Sequence, residues 1–243
     1  MKKLLALMLT GLLMFSVVGC GETQADTIDK VLTVALDCYS APYSWTQTDD
    51  TNGAVPIKDT KQYANGYDVM IAKRICEANG WRLEVVQLSA DAMLSALQER
   101  RVDCVMTGLS FAESEEAMEC GPYYSAQNVY LIPKDGKYAK ADSVEDLKGA
   151  VILSGKEKLD EVVKGNADAL CLDLPTAETY AVLHEDVIMS EFSAEQTTDL
   201  GITLRKTSEE LAVKINAVLQ EMTKSEADIM MTQAIALSTV YAE

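Results

Sequence analysis

The six cysteines are the residues of this chain whose type is best suited to binding a metal ion. Zinc sites commonly use cysteines roughly two to four residues apart, and no two cysteines here come that close. The five cysteines after Cys20 are an odd number, so at least one of them is unpaired. Cys76, Cys104 and Cys171 lie in apolar stretches, where cysteine behaves as a small hydrophobic residue. We therefore predict no metal site.

The sequence motifs of common enzyme classes are absent from the chain. There is no GxSxG, HExxH, Walker or GxGxxG pattern. His184 is the single histidine and follows an apolar helical stretch, so we expect it at the surface. The acidic run from Glu113 to Glu119 is typical of a solvated helix face. We predict that the chain is not an enzyme, has no catalytic residues and needs no cofactor.

The N-terminus has the pattern of an export signal. Lys2 and Lys3 precede an apolar run from Leu4 to Val18, which is shorter than the roughly 20 residues of a membrane-spanning helix. The Val-Val-Gly that precedes Cys20 resembles a bacterial lipobox, in which the cysteine thiol takes a diacylglycerol and becomes the new N-terminus. We predict a signal peptide over 1–19 and lipidation of Cys20. An uncleaved anchor helix is the alternative, and both place the remaining chain outside the cytoplasm at the cell membrane.

Charge and length restrict the partners and the domain organisation. The formal net charge of −17 excludes attraction to nucleic-acid phosphates and to anionic lipid, so attachment to the membrane is left to the acyl group. The 243 residues are enough for one large domain or two smaller lobes.

Apolar segments of two kinds alternate along the chain and predict an α/β fold. Strand-like and helix-like runs follow one another from residue 31 to 106, and the pattern restarts from 129 to 172, which is typical of parallel β-α-β units. Pro175 is placed to open the next helix, and Thr207 with Glu210 predicts a capping box before the C-terminal helices. The polar segment 46–65 reads as a long loop.

Several short segments occur in an order that is similar to a known family. They are Ala41-Pro42-Tyr43, Gly66-Tyr67-Asp68-Val69, the stretch from Ala96 to Asp103, Gly121-Pro122-Tyr123-Tyr124, the stretch from Ser143 to Gly149, Ala167-Asp168-Ala169 and the stretch from Gly201 to Lys206. Together they resemble family 3 of the bacterial extracellular solute-binding proteins, which mostly serve polar amino-acid ABC importers. The resemblance covers nearly all of the chain after the leader.

The resemblance implies a two-lobed periplasmic-binding-protein fold of type 2, with a small ligand held between the lobes. Two crossover strands near Ser125–Val129 and Gly201–Leu204 would act as the hinge, and lobe 2 would be shortened. The implied organisation is a signal peptide over 1–19, a tether over 20–29, lobe 1 over 30–126, lobe 2 over 127–202, and C-terminal helices over 203–243 that return to lobe 1.

The resemblance also implies which residues bind the ligand. In the family, hydroxyl and backbone groups near an Arg hold the ligand carboxylate, an acidic residue of lobe 2 accepts from the ammonium, and aromatic residues line the cleft. The matching positions and the acidic residues available for an amine are Asp37, Tyr39, Tyr43, Tyr67, Thr107, Gly108, Ser110, Glu113 and Asp173. Asp173 is equally explained as the cap of the helix that contains Pro175.

One departure from the family pattern bears on the ligand. The Arg is replaced within Phe111-Ala112-Glu113-Ser114, and no basic residue lies between Arg101 and Lys134. Two interpretations follow: a changed ligand that is cationic or lacks a free α-carboxylate, or a degenerate copy that binds weakly. We favour a changed ligand, and Lys156 of lobe 2 is placed to restore an anion contact.

Three functions stay open at this stage. The first is a monomeric lipoprotein that delivers an amino acid or another amine-bearing small molecule to the permease subunits of an ABC importer. The second is a lyase on the same fold, similar to cyclohexadienyl dehydratase. The third is a degenerate sensory or interaction protein. We favour the first.

Overall fold

The computed structural model describes residues 30–107 and 115–241. The predicted signal peptide, Cys20 and the tether lie outside the described residues. The strands are β1 (Val31–Leu36), β2 (Tyr39–Ser40), β3 (Ser44–Gln47), β4 (Val55–Pro56), β5 (Tyr63–Asn65), β6 (Arg82–Gln87), β7 (Cys104–Val105), β8 (Ala117–Pro133), β9 (Ile152–Ser154), β10 (Ala169–Asp173) and β11 (Val187–Arg205). The helices are α1 (Tyr67–Asn79), α2 (Ala90–Gln98), α3 (Leu159–Val163), α4 (Leu174–Leu183), α5 (Glu209–Glu221) and α6 (Lys224–Tyr241).

One seven-stranded sheet runs through the whole molecule in the order β6-β1-β7-β11-β8-β10-β9. β1 is parallel to β6 and β7, and β9 is parallel to β10, as the alternation of strands and helices predicted. The long strands β8 and β11 pair antiparallel in the middle of the sheet. The predicted α/β architecture is confirmed.

Two groups of buried residues divide the molecule into two lobes. The first core contains apolar residues of β1, α1, β6, α5 and α6, and the second contains residues of β8, β10, α3 and α4. Only the long strands β8 and β11 contribute buried residues to both groups, since each has one end in either lobe. The described residues therefore form a two-lobed α/β fold with two crossover strands, as expected.

The second crossover lies earlier in the chain than the resemblance implied. Thr197 pairs with Gln127 and Asp199 with Ser125, at the first predicted crossover. Leu200 and Ile202 are already fully buried in the core of the first lobe. β11 therefore crosses between the lobes before Leu200, and not at Gly201–Leu204.

The segment 46–65 is not a long loop. Three short strands within or overlapping it form, with β2, a four-stranded antiparallel sheet of order β2-β3-β5-β4. Trp45 and Ala64 of this sheet are buried, so the segment has apolar packing in spite of its polar sequence. Gly66 then turns the chain into α1 with φ of +129°, and a Cβ there would lie 2.1 Å from the carbonyl oxygen of Tyr43.

Of the two predicted helix starts, one is confirmed and the other is wrong. Pro175 lies in the first turn of α4, as predicted. The capping box at Thr207 and Glu210 is wrong, because α5 begins at Glu209 and its N-cap is Ser208, without a side-chain capping bond. His184 is exposed after α4, as expected.

Helices α4 and α6 bring the two lobes into contact beside the crossover strands. Thr179 of α4 and Ser238 of α6 are fully buried, and their hydroxyl oxygens are 3.4 Å apart. Thr179 donates to the carbonyl of Pro175, and Ser238 donates to the carbonyl of Ile235. Within the described segments, no helix is both long and apolar enough to cross a membrane.

Candidate ligand-binding cleft

A cavity of about 260 Å³ lies between the two lobes. This volume is just below the range of about 300–1,000 Å³ that is typical of ligand sites, so the cavity suits only a small molecule, such as an amino acid. The cavity is formed where the turn after β1 and the end of β7 in the first lobe face the ends of β9 and β10 in the second. The lining residues are Ser40, Ala41, Tyr43, Thr107, Asn128, Ser154, Gly155, Lys156, Glu157, Cys171, Leu172, Asp173, Thr176 and Thr198.

Tyr43 and Asp173 connect the lobes across this cavity. The Tyr43 hydroxyl donates to Asp173 Oδ1 at 2.5 Å. Burial raises the pKa of the Tyr43 phenol well above its usual value, and the neighbouring Asp173 carboxylate raises it further. The phenol therefore stays protonated and acts as the donor.

Asp173 caps a helix and also lies in the cavity wall. Its Oδ1 accepts the backbone N–H of Thr176 at 3.0 Å, which caps the N-terminus of α4. The same carboxylate lines the cavity. Within the described part of the chain, Asp173 Oδ2 accepts no hydrogen bond, so this oxygen is available to a further donor.

Lys156 reaches across the cleft from the second lobe. Its ammonium donates to the carbonyl oxygen of Tyr39 at 2.7 Å and to the hydroxyl of Ser40. Burial lowers the pKa of Lys156, because the charged form loses hydration. Gly155 precedes it with φ of +93°, and a Cβ there would lie 2.5 Å from the Glu157 carboxylate. The Glu157 side chain could move away from such a Cβ, so it is the positive φ that favours glycine at this turn.

Asp37 does not line the cavity. Its carboxylate accepts from the hydroxyl of Ser40, from the hydroxyl of Ser44 at 3.0 Å and from the backbone N–H of Tyr39 at 3.0 Å. These bonds hold the turn that brings Ser40 to the cavity wall. The structure thus corrects the expected direct contact of Asp37 with the ligand, because its oxygens are committed to this turn.

The expected position of the Tyr39 and Tyr67 rings at the cleft is also wrong. The side chain of Tyr39 is 73% exposed, and it is the carbonyl of this residue that meets Lys156. Tyr67 is fully buried in the core of the first lobe, where its ring stacks on Tyr123 with 6.0 Å between ring centroids. Its hydroxyl donates to the carbonyl of Tyr123 at 3.2 Å. Neither ring therefore reaches the cavity.

Of the residues implied by the resemblance, the structure brings three to one cavity: Tyr43, Thr107 and Asp173. Gly108, Ser110 and Glu113 lie outside the described residues. No cluster of metal-binding side chains occurs within residues 30–107 and 115–241.

Two cavity residues on the crossover strands were not anticipated from the sequence. Thr198 of β11 donates to Asn128 Oδ1 of β8 at 2.8 Å, which orients the Asn128 amide beside the cavity. Both residues stand where β8 and β11 cross between the lobes. The sequence alone does not point to these two residues, because their proximity depends on the register of the two strands.

The fold and the cleft define a two-lobed solute-binding protein, and the family follows from the sequence. Residues 32–232 match the model of the bacterial extracellular solute-binding proteins, family 3. The chain belongs to this family.

Curated relatives of the chain are binding proteins. The arginine-binding extracellular protein ArtP of Bacillus subtilis is 24% identical over 255 residues, which cover 91% of this chain and 93% of ArtP. The histidine-binding periplasmic protein of Escherichia coli K12 is 23% identical over 210 residues, which cover 72% of this chain and 80% of that protein.

Solved structures share the fold. AbpA, an amino acid ABC transporter substrate-binding protein from Streptococcus pneumoniae bound to L-arginine, superposes with a TM-score of 0.67 at 22% identity, and the match covers 86% of this chain and 96% of AbpA. AncCDT-1, an ancestral amino acid-binding protein described as a precursor of cyclohexadienyl dehydratase, gives a TM-score of 0.63 at 25% identity, with coverage of 84% and 95%.

Proposed function

We propose that this chain is the substrate-binding component of an ABC importer and that it holds an amino acid or a related amine-bearing molecule in the cleft between its lobes. The observation that carries this proposal is Asp173, a carboxylate in the cavity wall with one oxygen open to a donor. A positively charged donor such as an ammonium forms a stronger hydrogen bond with a carboxylate than a neutral donor does. The relatives named for arginine and histidine binding support an amino compound.

Closure of the lobes is the mechanism by which the cleft would retain its ligand. Tyr43 on the first lobe and Asp173 on the second are already bonded, so an amine at Asp173 lies at the contact between the lobes. Closure excludes water and strengthens polar contacts within the cleft.

We also propose where the chain is located and which partners it has. The signal peptide over 1–19 and the lipid on Cys20 would hold a monomer outside the cell membrane, near the permease subunits to which it delivers its ligand. The tether over 20–29 would connect the lipid to lobe 1. We propose that lobe 2 comprises the segment between the two crossovers, and that the chain is not an enzyme.

The role of Asp173 is tested by titrating the mature chain with L-arginine, L-lysine and L-histidine in a calorimeter. Asp173→Asn keeps a good helix cap and removes the charge, so we expect normal folding and a loss of affinity of about 10- to 100-fold. Asp160→Asn is the matched control, since Asp160 is an exposed acid of the same lobe. Unchanged affinity in Asp173→Asn, or an equal loss in both variants, would contradict the proposal.

The lyase alternative rests on the fold alone, since AncCDT-1 is itself an amino acid-binding protein described as a precursor of cyclohexadienyl dehydratase. Incubation of the mature chain with a cyclohexadienyl acid distinguishes it from transport, since a lyase releases an aromatic product. Absence of that product removes the lyase alternative.

A further inference from the structure

Lys156 is the one basic side chain among the described residues that line the cavity. The other charged lining residues, Glu157 and Asp173, are acidic. Family members hold the ligand carboxylate with an Arg that this chain lacks. The cleft therefore has an acid for an ammonium at Asp173 and a single candidate for an anion at Lys156.

The direct hydrogen-bond partners of Lys156 among the described residues are neutral, a backbone carbonyl and a hydroxyl. The carboxylates of Asp37, Glu157 and Asp173 act on it without a direct hydrogen bond and raise its pKa, against the lowering by burial. An ammonium that is largely removed from water gains most from an anion in direct contact. A third N–H of the ammonium remains for a further acceptor.

From these observations we infer that Lys156 binds the anionic end of the ligand, so that the cleft selects molecules carrying a carboxylate together with an ammonium. This inference rests on the proposed function and specifies its ligand. The carboxylate would lie between Lys156 and the Ser40 turn, with the ammonium towards Asp173. The anion contact thus comes from the second lobe, and the ligand itself joins the lobes.

A charged acceptor gives Lys156 a stronger bond than its neutral partners do. Hydrogen bonds between two ionised groups are roughly twice as strong as those between neutral groups. The third N–H of Lys156 can take a carboxylate while its bonds to Tyr39 and Ser40 persist, so the carboxylate adds a contact where the second lobe meets the Ser40 turn.

The test compares three amino acids with their decarboxylated amines on the mature chain by titration calorimetry. The pairs are L-arginine with agmatine, L-lysine with cadaverine, and L-histidine with histamine. We expect at least one amino acid to bind about 10- to 100-fold more tightly than its amine. Lys156→Met should remove this difference by weakening the amino acid, while the affinity for the amine changes less than about 3-fold.

Two control variants separate charge recognition from a loss of structure. Lys158→Met removes an exposed lysine two residues away and should leave the discrimination intact. Lys156→Arg retains the charge and should retain most of the preference for the carboxylate. Circular dichroism of each variant verifies the fold.

The outcomes that overturn the inference differ from those that overturn the proposed function. Equal affinity for an amino acid and its amine in the unmodified chain, or a parallel loss of both in Lys156→Met, shows that Lys156 only joins the lobes. If no amino acid and no amine binds, the proposed function fails and this inference fails with it.

Discussion

The hydrogen bond from Tyr43 to Asp173 leads to a prediction about stability. Tyr43→Phe removes the hydroxyl and keeps the ring, which is buried with 3% of its surface exposed. The lost bond joins a neutral donor to a carboxylate at 2.5 Å. Such bonds contribute about 1.5–3 kcal/mol, and the lower end applies here because cavity water can hydrate Asp173 after the change.

A loss of about 1.5 kcal/mol lowers the melting temperature of a chain of this size by roughly 3–6 °C. Thermal unfolding followed by circular dichroism at neutral pH measures this shift. Tyr63→Phe is the matched control, because Tyr63 is half-buried and its hydroxyl makes no hydrogen bond within the described segments. An unchanged melting temperature in Tyr43→Phe, or an equal shift in both variants, would refute the reasoning.

Two further predictions concern the cysteines. Burial raises the pKa of Cys38 to about 12 and that of Cys76 to about 11, whereas an exposed thiol ionises near 9.0. As the pH rises, the unfolded chain therefore loses these thiol protons before the folded chain does. The urea concentration at the midpoint of unfolding should fall as the pH rises from 9 towards 12. A midpoint that stays constant over this range in reducing buffer would contradict the reasoning. Cys20→Ala should abolish incorporation of a labelled fatty acid and release the protein from cells; a labelled variant would disprove lipidation at Cys20.

The long elements were predictable because their apolar periodicity extends over many residues. The helical spacing that starts after Gly66 gave α1, and the apolar run from Val31 to Leu36 gave β1 with its bounds. The strands β2 to β5 could not be predicted in this way, because two to four residues are too few to show a period. Trp45 of β3 is buried, and local sequence does not reveal this burial.

The cleft was predictable only in part. Tyr43, Thr107 and Asp173 were implied by motif positions at the ends of strands, where ligands of open α/β folds bind. Asp37 has the right residue type, but its oxygens are used by hydroxyls a few residues away, a local geometry that sequence alone leaves open. Asn128 and Thr198 are 70 residues apart in the chain and meet through strand register.

The contact between α4 and α6 has a consequence for how the lobes move. The hydroxyls of Thr179 and Ser238 are 3.4 Å apart, and either can donate to the other. Each is also within hydrogen-bond distance of a carbonyl of its own helix. A shift that separates the two hydroxyls therefore leaves each of them with an acceptor in its own helix. Small shear of packed helices is one of the ways in which domains open around a ligand. The contact between α4 and α6 therefore tolerates a small relative shift of the lobes beside the crossover strands, because either hydroxyl can exchange one acceptor for another.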